Sequence, residues 1–292
     1  MGSLSTPFAP VVNAATALKP VRRLLDATLK IAHHRSLPKY SHGTFRRWIK
    51  SVAAEQEQFS EQVAFFHGCY VIYNHPQLGK DLLKVLNAMG TGVQLLSKEK
   101  CCGVPLIANG FIDKARKQAS SNVTSLREAI VDKGIPVLAT SSTCTFTLRD
   151  EYPHLLEVDN TGLREHIELA TRFLWRKLDS GQTLPLGKLP LKVVYHTPCH
   201  MEKMGWSIYT LELLRLIPGL ELTVLDSRCC GIAGTYGFKR ENYPTSQAIG
   251  APLFRQIEES GADIVVTDCE TCKWQIEMST SKRCEHPITL LA

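Results

Sequence analysis

The chain has 292 residues, 44% hydrophobic and 21% charged, enough to bury one large core or two modest ones. Its formal charge of +6 comes from one end, because residues 1–50 carry nine Lys or Arg against Asp26 alone, a local balance of +8. Few aromatics interleave with those charges and no nucleic-acid motif is present, so a nucleic-acid partner is not expected; no apolar run reaches the roughly 18 residues of a membrane span.

The first 30 residues lack a compact apolar leader with a cleavage site, and the expected setting is a reducing compartment. There, clustered thiols hold metal more often than they form bridges. In chain order, residues 1–60 read as a basic, cysteine-free helical arm holding Lys19, Arg22, Arg23, Lys30, Arg35, Lys39, Arg46, Arg47 and Lys50. Leu18, Val21, Leu25, Leu29 and Ala32 can form one apolar stripe beside those charges, the pattern of a helix lying on an anionic membrane surface or on a partner. A solvated helix packed on the body is the alternative.

Residues 61–180 read as a first module and 191–292 as a second. Apolar runs predict strands at 63–69, 92–97 and 135–140, with helical spacing over 77–89 and 111–132. The second module repeats this order with strands at 192–197, 220–226 and 263–268 and helices near 207–216 and 244–260. Between them, Gly181, Pro185, Gly187 and Pro190 interrupt both helix and sheet. Alternating strands and helices predict an α/β fold of two repeated Rossmann-like βαβ modules, with ligands at the C-terminal ends of the strands. A leucine-rich, helix-like tail closes the chain. Neither a dinucleotide fingerprint nor a P-loop is present, and no flavin is expected on this chain.

The ten cysteines carry the chemistry. Cys101, Cys102 and Cys144 recur 128 residues on as Cys229, Cys230 and Cys272, and Cys69 recurs 130 residues on as Cys199. A packing residue is free to drift by a turn, whereas ligands of one group are not. Cys269 has no cysteine counterpart, since Ser141 stands at the matching place. Cys284 has no repeat partner and reads as a spare thiol. Five thiols exceed the four of a tetrahedral zinc site, and an extra thiolate suits an iron-sulfur cluster; zinc and redox-active thiols remain the alternatives. Gly103 and Gly231, after each Cys-Cys pair, let the backbone take positive φ and approach the inorganic sulfides.

His67, His196 and His200 flank the first cysteine of each module. They are candidates to hydrogen-bond sulfur or handle a quinone proton, or are polar groups satisfied at strand ends. Arg228, Lys239 and Lys273 lie near the second set in sequence and either raise its potential by their charge or are solvated.

The paired modules resemble the cysteine-rich "CCG" domains of the B subunit of heterodisulfide reductase and of iron-sulfur subunits of glycolate and lactate oxidases. The stretches HPQLGKDLLKVLNAMGTGVQLLSKEKCCGVPLIANGF, HTPCHMEKMGW, CCGIAGTYGF and TDCETCKWQIEMSTS resemble the C subunits of bacterial anaerobic glycerol-3-phosphate dehydrogenases, a likeness running over essentially the whole chain. This resemblance implies an iron-sulfur electron-transfer subunit with no catalytic residue of its own. It implies flavin-containing A and B subunits as partners, which oxidise sn-glycerol 3-phosphate to dihydroxyacetone phosphate. It implies delivery of electrons toward menaquinone from a peripheral position on the cytoplasmic face of the inner membrane.

The family's ligands map onto Cys199, Cys229, Cys230, Cys269 and Cys272, for a noncubane 4Fe-4S cluster. By module equivalence Cys69, Cys101, Cys102 and Cys144 serve a first site, which holds that cluster, a four-thiolate cubane or none. The family's C subunits begin with a ferredoxin-like domain, yet no cysteine precedes Cys69 here, so a fragment or variant without that domain is expected. A thiol or disulfide reductase subunit of the heterodisulfide reductase type, cleaving its substrate at a CCG cluster, is the alternative function.

Overall fold

The computed structural model describes residues 5–292. Two four-stranded parallel sheets form its frame. The first contains β1 (Glu61–Phe66), β2 (Thr91–Leu95), β3 (Val137–Ala139) and β4 (Ile167–Leu169) in the order β2-β1-β3-β4. The second contains β5 (Lys192–Tyr195), β6 (Glu221–Val224), β7 (Ile264–Val266) and β8 (Arg283–Glu285) in the order β6-β5-β7-β8. Phe65 pairs with Leu138 and Tyr195 with Val266, so the central strands share one register in both halves. Val63, Ala64, Phe65 and Phe66 are all buried, because a parallel strand covered on both faces reads as continuously apolar.

All six expected strands are present, and each ends before its apolar run does. β1 stops at Phe66 rather than residue 69 because Gly68 takes φ +64° and turns the chain into the helix Gly68–Tyr73. The helices Pro76–Ala88, Ser207–Arg215 and Tyr243–Glu259 lie within a residue or so of their expected spans. The fourth strands, β4 and β8, were not expected. Each is three residues long, and Glu168 or Arg283 interrupts its apolar pattern.

One apolar cluster spans both modules, and each module has a further cluster of its own. Val63, Phe65, Leu78 and Leu138 of the first belong to the same cluster as Tyr195, Leu213, Val266 and Ile288 of the second. The modules exchange helices: Pro287–Leu291 packs on Pro76–Ala88, as Ala170–Asp179 packs on Ser207–Arg215. The leucine-rich tail is therefore an interface element, with Ile288 and Leu291 buried.

Segments of the basic arm pack on both modules. Phe45 and Ile49, on the helix Phe45–Ser51, enter the shared core. Upstream, Ala32 N–H donates to Phe238 O (2.9 Å) and Arg240 N–H to Lys30 O (2.8 Å), docking the chain on the loop that follows Cys229 and Cys230. Arg35 is 1% exposed, and its guanidinium donates to Gly237 O (2.5 Å), Ser246 Oγ (2.9 Å) and Gln275 Oε1.

The expected stripe is split along the helix Lys19–Leu29, with Val21 and Leu25 half-buried and Ala32, beyond the helix, buried. Leu18 and Leu29 are exposed, whereas Asp26 is buried and paired with His33 at 2.5 Å and Arg240 at 3.2 Å. The helix is tied down by charge pairing. Among the described residues no helix is long and apolar enough to cross a membrane.

Candidate metal centre

Both cysteine sets sit where the strands' C-terminal ends meet the loops, the usual ligand position of an open parallel sheet. In the first module, Cys69 lies in the helix after β1, Cys101 and Cys102 in the loop after β2, and Cys144 in the helix Ser142–Phe146 after β3. Cys102 Sγ and Cys144 Sγ approach to 3.4 Å. In the second, Cys199 opens the helix Cys199–Met204 after β5, Cys229 and Cys230 follow β6, and Cys269 and Cys272 flank the start of the helix Glu270–Ser279 after β7. Cys230 Sγ and Cys272 Sγ lie 3.2 Å apart. The matching pair meets in each half, and all ten cysteines are free.

Backbone shape brings each Cys-Cys pair inward. Gly103 has φ +108° and Gly231 φ +84°, a region open to glycine without Cβ strain. A Cβ at Gly231 would also collide with Ser246 O. The turn leaves Cys102 and Cys230 buried, at 3% and 5% exposure, and their neighbours Cys101 and Cys229 more accessible.

Each set contains a thiol held as thiolate. Hydrogen bonds from Cys102 and Cys69 hold Cys101 well below the usual thiol range. Those from Cys229 and Cys272 do the same for Cys230. A hydrogen bond from Cys272 also lowers Cys269, to about 6, while burial raises Cys199 to about 11. The remaining protons in these sets are those a bound metal displaces.

Ser141 and Cys269 each cap a helix. Ser141 Oγ accepts from Cys144 N (3.3 Å) and Cys269 Sγ from Cys272 N (3.4 Å). The Cys-x-x-Cys spacing is that of a cap residue and its third helical residue.

The three histidines differ. His67 Nε2 accepts from Arg46 Nε (2.9 Å), which leaves Nδ1–H to face Gly68 O (2.9 Å) and Glu99 (3.0 Å). Burial lowers its pKa to about 4, so it is neutral and structural. His200 Nδ1 meets Thr143 Oγ1 at 3.0 Å and its ring stacks on Phe146. Thr143 Oγ1 also lies 3.4 Å from Cys269 Sγ, so a first-module hydroxyl touches a second-module thiol. His196 alone of the three joins the sulfurs: a ring nitrogen, Cys230 Sγ and Cys272 Sγ lie within 4.8 Å of one another.

Lys273 is committed to Glu277 (2.8 Å), Glu285 (3.6 Å) and Cys284 O rather than to the second set. Arg228 is exposed and Lys239 half-buried. Cys284 is fully buried on β8, in the core.

Sequence reasoning missed three buried carboxylates beside the thiols. Glu99 accepts from His67 N (3.1 Å) and Gly68 N (2.8 Å), and burial raises it to about 8. Asp268, raised by burial to about 7, accepts from Tyr195 Oη (2.6 Å) and Thr210 Oγ1 (3.1 Å). Glu270, raised by burial to about 8, lies between Cys269 and Cys272. Their only signal was position, an acidic residue next to a ligand cysteine or two residues before it.

The donor chemistry fits an iron-sulfur group. Soft thiols converge in each module at sulfur–sulfur contact distance without forming a bridge, and a buried imidazole that acts on the Cys230 thiol faces the second set.

Comparison with known proteins agrees with this geometry. The family model of the CCG cysteine-rich domain matches twice, at residues 63–149 and 193–277. The chain is 84% identical over its whole length to the C subunit of the anaerobic glycerol-3-phosphate dehydrogenase of Escherichia coli K12, covering 74% of that protein. It is 30% identical over 80% of its length to an uncharacterized iron-sulfur protein of Methanocaldococcus jannaschii, spanning 45% of the latter. It is also 30% identical over 76% of its length to the B subunit of the fumarate reductase (CoM/CoB) of Methanothermobacter marburgensis, spanning 42% of it. With both halves matched and 84% identity along all 292 residues, the chain belongs to the CCG cysteine-rich domain family and, within it, to the C subunits of anaerobic glycerol-3-phosphate dehydrogenase.

Proposed function

We propose that this chain is the iron-sulfur electron-transfer subunit of an anaerobic glycerol-3-phosphate dehydrogenase, taking electrons from flavin-containing A and B subunits and passing them toward menaquinone. The observation that supports it most is the doubled cysteine set, carried on a chain 84% identical throughout to such a C subunit. A bound iron-sulfur group supplies one-electron storage. Cys199, Cys229, Cys230, Cys269 and Cys272 would hold a noncubane 4Fe-4S group in the second module. Cys69, Cys101, Cys102 and Cys144 would hold a simpler group in the first, where Ser141 offers a hydroxyl, a harder and poorer iron ligand.

The chain's own residues position and seal these donors. Thr143 bridges the two sites by touching His200 and Cys269, and the buried side chains around Cys102 and Cys230 exclude water. A peripheral place on the cytoplasmic face of the inner membrane is supported by the N-terminal helices. Phe8, Val11, Leu18, Leu24 and Leu29 are exposed there, beside Lys19, Arg23 and Lys30, the composition of an interfacial surface.

A second reading, reduction of a disulfide at a CCG cluster, is favoured by one feature. A cleft of about 450 Å³ opens onto Cys69 and Cys101, flanked by Arg46, Tyr73 and Lys100. One experiment separates the two. Protein purified without oxygen is assayed for iron and acid-labile sulfide, reduced by glycerol 3-phosphate through the A and B subunits, and offered quinone analogues or disulfides as acceptors. Iron, sulfide and reoxidation by quinone are expected. Reoxidation by disulfide alone would favour the second reading, and stoichiometric zinc without iron after anoxic reconstitution would overturn both.

A further inference from the structure

His196 is buried to 1% exposure, and apart from the Cys230 thiol, whose pKa its ring helps to lower, neither ring nitrogen has a hydrogen-bond partner. A neutral imidazole carries one donor and one acceptor, and leaving either buried and unmet costs about 1–3 kcal/mol. The other histidines near the thiols meet that requirement: His67 through Arg46, Gly68 and Glu99, and His200 through Thr143. The backbone of His196 is fixed, its N–H donating to Val266 O at 2.9 Å. What its ring faces is the pair Cys230 and Cys272, with the three donor atoms within 4.8 Å of one another. Two donors of one ion lie roughly 3.5–4.6 Å apart, given metal–sulfur and metal–nitrogen bonds of about 2.0–2.3 Å, so the three atoms are grouped on the scale of a single binding site.

The first module has no equivalent. The offset of 130 that carries Cys69 to Cys199 carries Phe66 to His196, and Phe66 is a buried core residue. Where one site has a phenyl ring, the other has a nitrogen donor.

We propose that His196 is a nitrogen ligand of the metal group in the second module, binding through one ring nitrogen the iron that Cys230 and Cys272 also bind. The proposal rests on the iron-sulfur reading above. A neutral imidazole adds a bond without adding negative charge, where a further thiolate would add one and lower the potential.

Pulsed electron paramagnetic resonance on oxygen-free protein, grown with natural or ¹⁵N-labelled histidine, tests this. The expected result is the strong nitrogen coupling of a directly bonded imidazole, changing with the isotope and lost in His196→Phe, the residue of the first module. His196→Cys, which keeps a ligand and adds a negative charge, should retain iron content, lose the coupling and lower the midpoint potential. A wild-type cluster signal with only the weak coupling of a hydrogen-bonded nitrogen would overturn the proposal, as would strong coupling that persists in both variants. If no iron signal appears in the wild-type protein, the parent reading itself fails, and that absence distinguishes the two failures.

Discussion

Ser141 and Cys269 perform the same backbone task in the two halves, each closing the helix after its third strand by accepting the amide three residues on, at 3.3 Å and 3.4 Å. The position therefore has a structural requirement that oxygen and sulfur both meet, and a ligand role open to sulfur. Cys269→Ser should keep the fold, shifting the stability of the metal-free protein by less than about 1 kcal/mol, while altering or removing the second site's paramagnetic signal. Ser141→Ala should cost about 1 kcal/mol of stability through the lost cap. Chemical denaturation and spectroscopy on the same variants check both.

The same reasoning makes the two modules unequal. Ser141→Cys should create a signal in the first module that the unmodified protein lacks. Two identical noncubane signals in the unmodified chain would show that the hydroxyl does not matter.

Arg35 should be among the costliest arm residues to change. Truncation to alanine leaves Gly237 O, Ser246 Oγ and Gln275 Oε1 short of a buried donor, a loss on the order of 3 kcal/mol. Lysine should not restore it, since an ammonium cannot reproduce the fork of donors. Denaturation midpoints of Arg35→Ala and Arg35→Lys measure this directly.

His286 gives a pH signature of its own. It is buried, with Ile288 N donating to Nδ1 (3.1 Å) and Nε2 facing Thr140 O (3.0 Å). Burial lowers its pKa to about 3 from the ordinary 6.5, and His75 and Lys273 add to that shift. The unfolded chain thus takes up a proton below pH 6.5 that the folded chain refuses. Its contribution to stability is complete above 6.5 and falls as pH drops toward 3, by up to ~1.4 kcal/mol per pH unit. The acid limb of the stability profile should be shallower in His286→Gln than in the wild type.

The exposed apolar and basic residues of the N-terminal helices should bind anionic vesicles. Changing Leu18, Leu24 and Leu29 to Ser should weaken flotation at all salt concentrations, whereas changing Lys19, Arg23 and Lys30 to Gln should weaken it mainly at low salt, where charge is least screened. Unchanged flotation in both variants would remove this face from membrane contact.

The sequence alone determined the repeat, the fold class and the cysteine sets, because a constant offset of ligand residues and apolar runs of strand length are one-dimensional facts. It also placed the paired glycines, since positive φ is a local demand of the chain. Only the tertiary structure decided which histidine faces sulfur: His67, His196 and His200 look alike in sequence, yet their partners Arg46, Glu99 and Thr143 arrive from other elements. It likewise decided that Arg35 is buried beneath the second module rather than displayed with the arm's other charges. β4 and β8 were illegible because three residues carry too little periodicity and their pairing with β3 and β7 is long-range. Spacing along the chain is set by local geometry, whereas the partner of a buried polar group is set by whatever the fold packs against it.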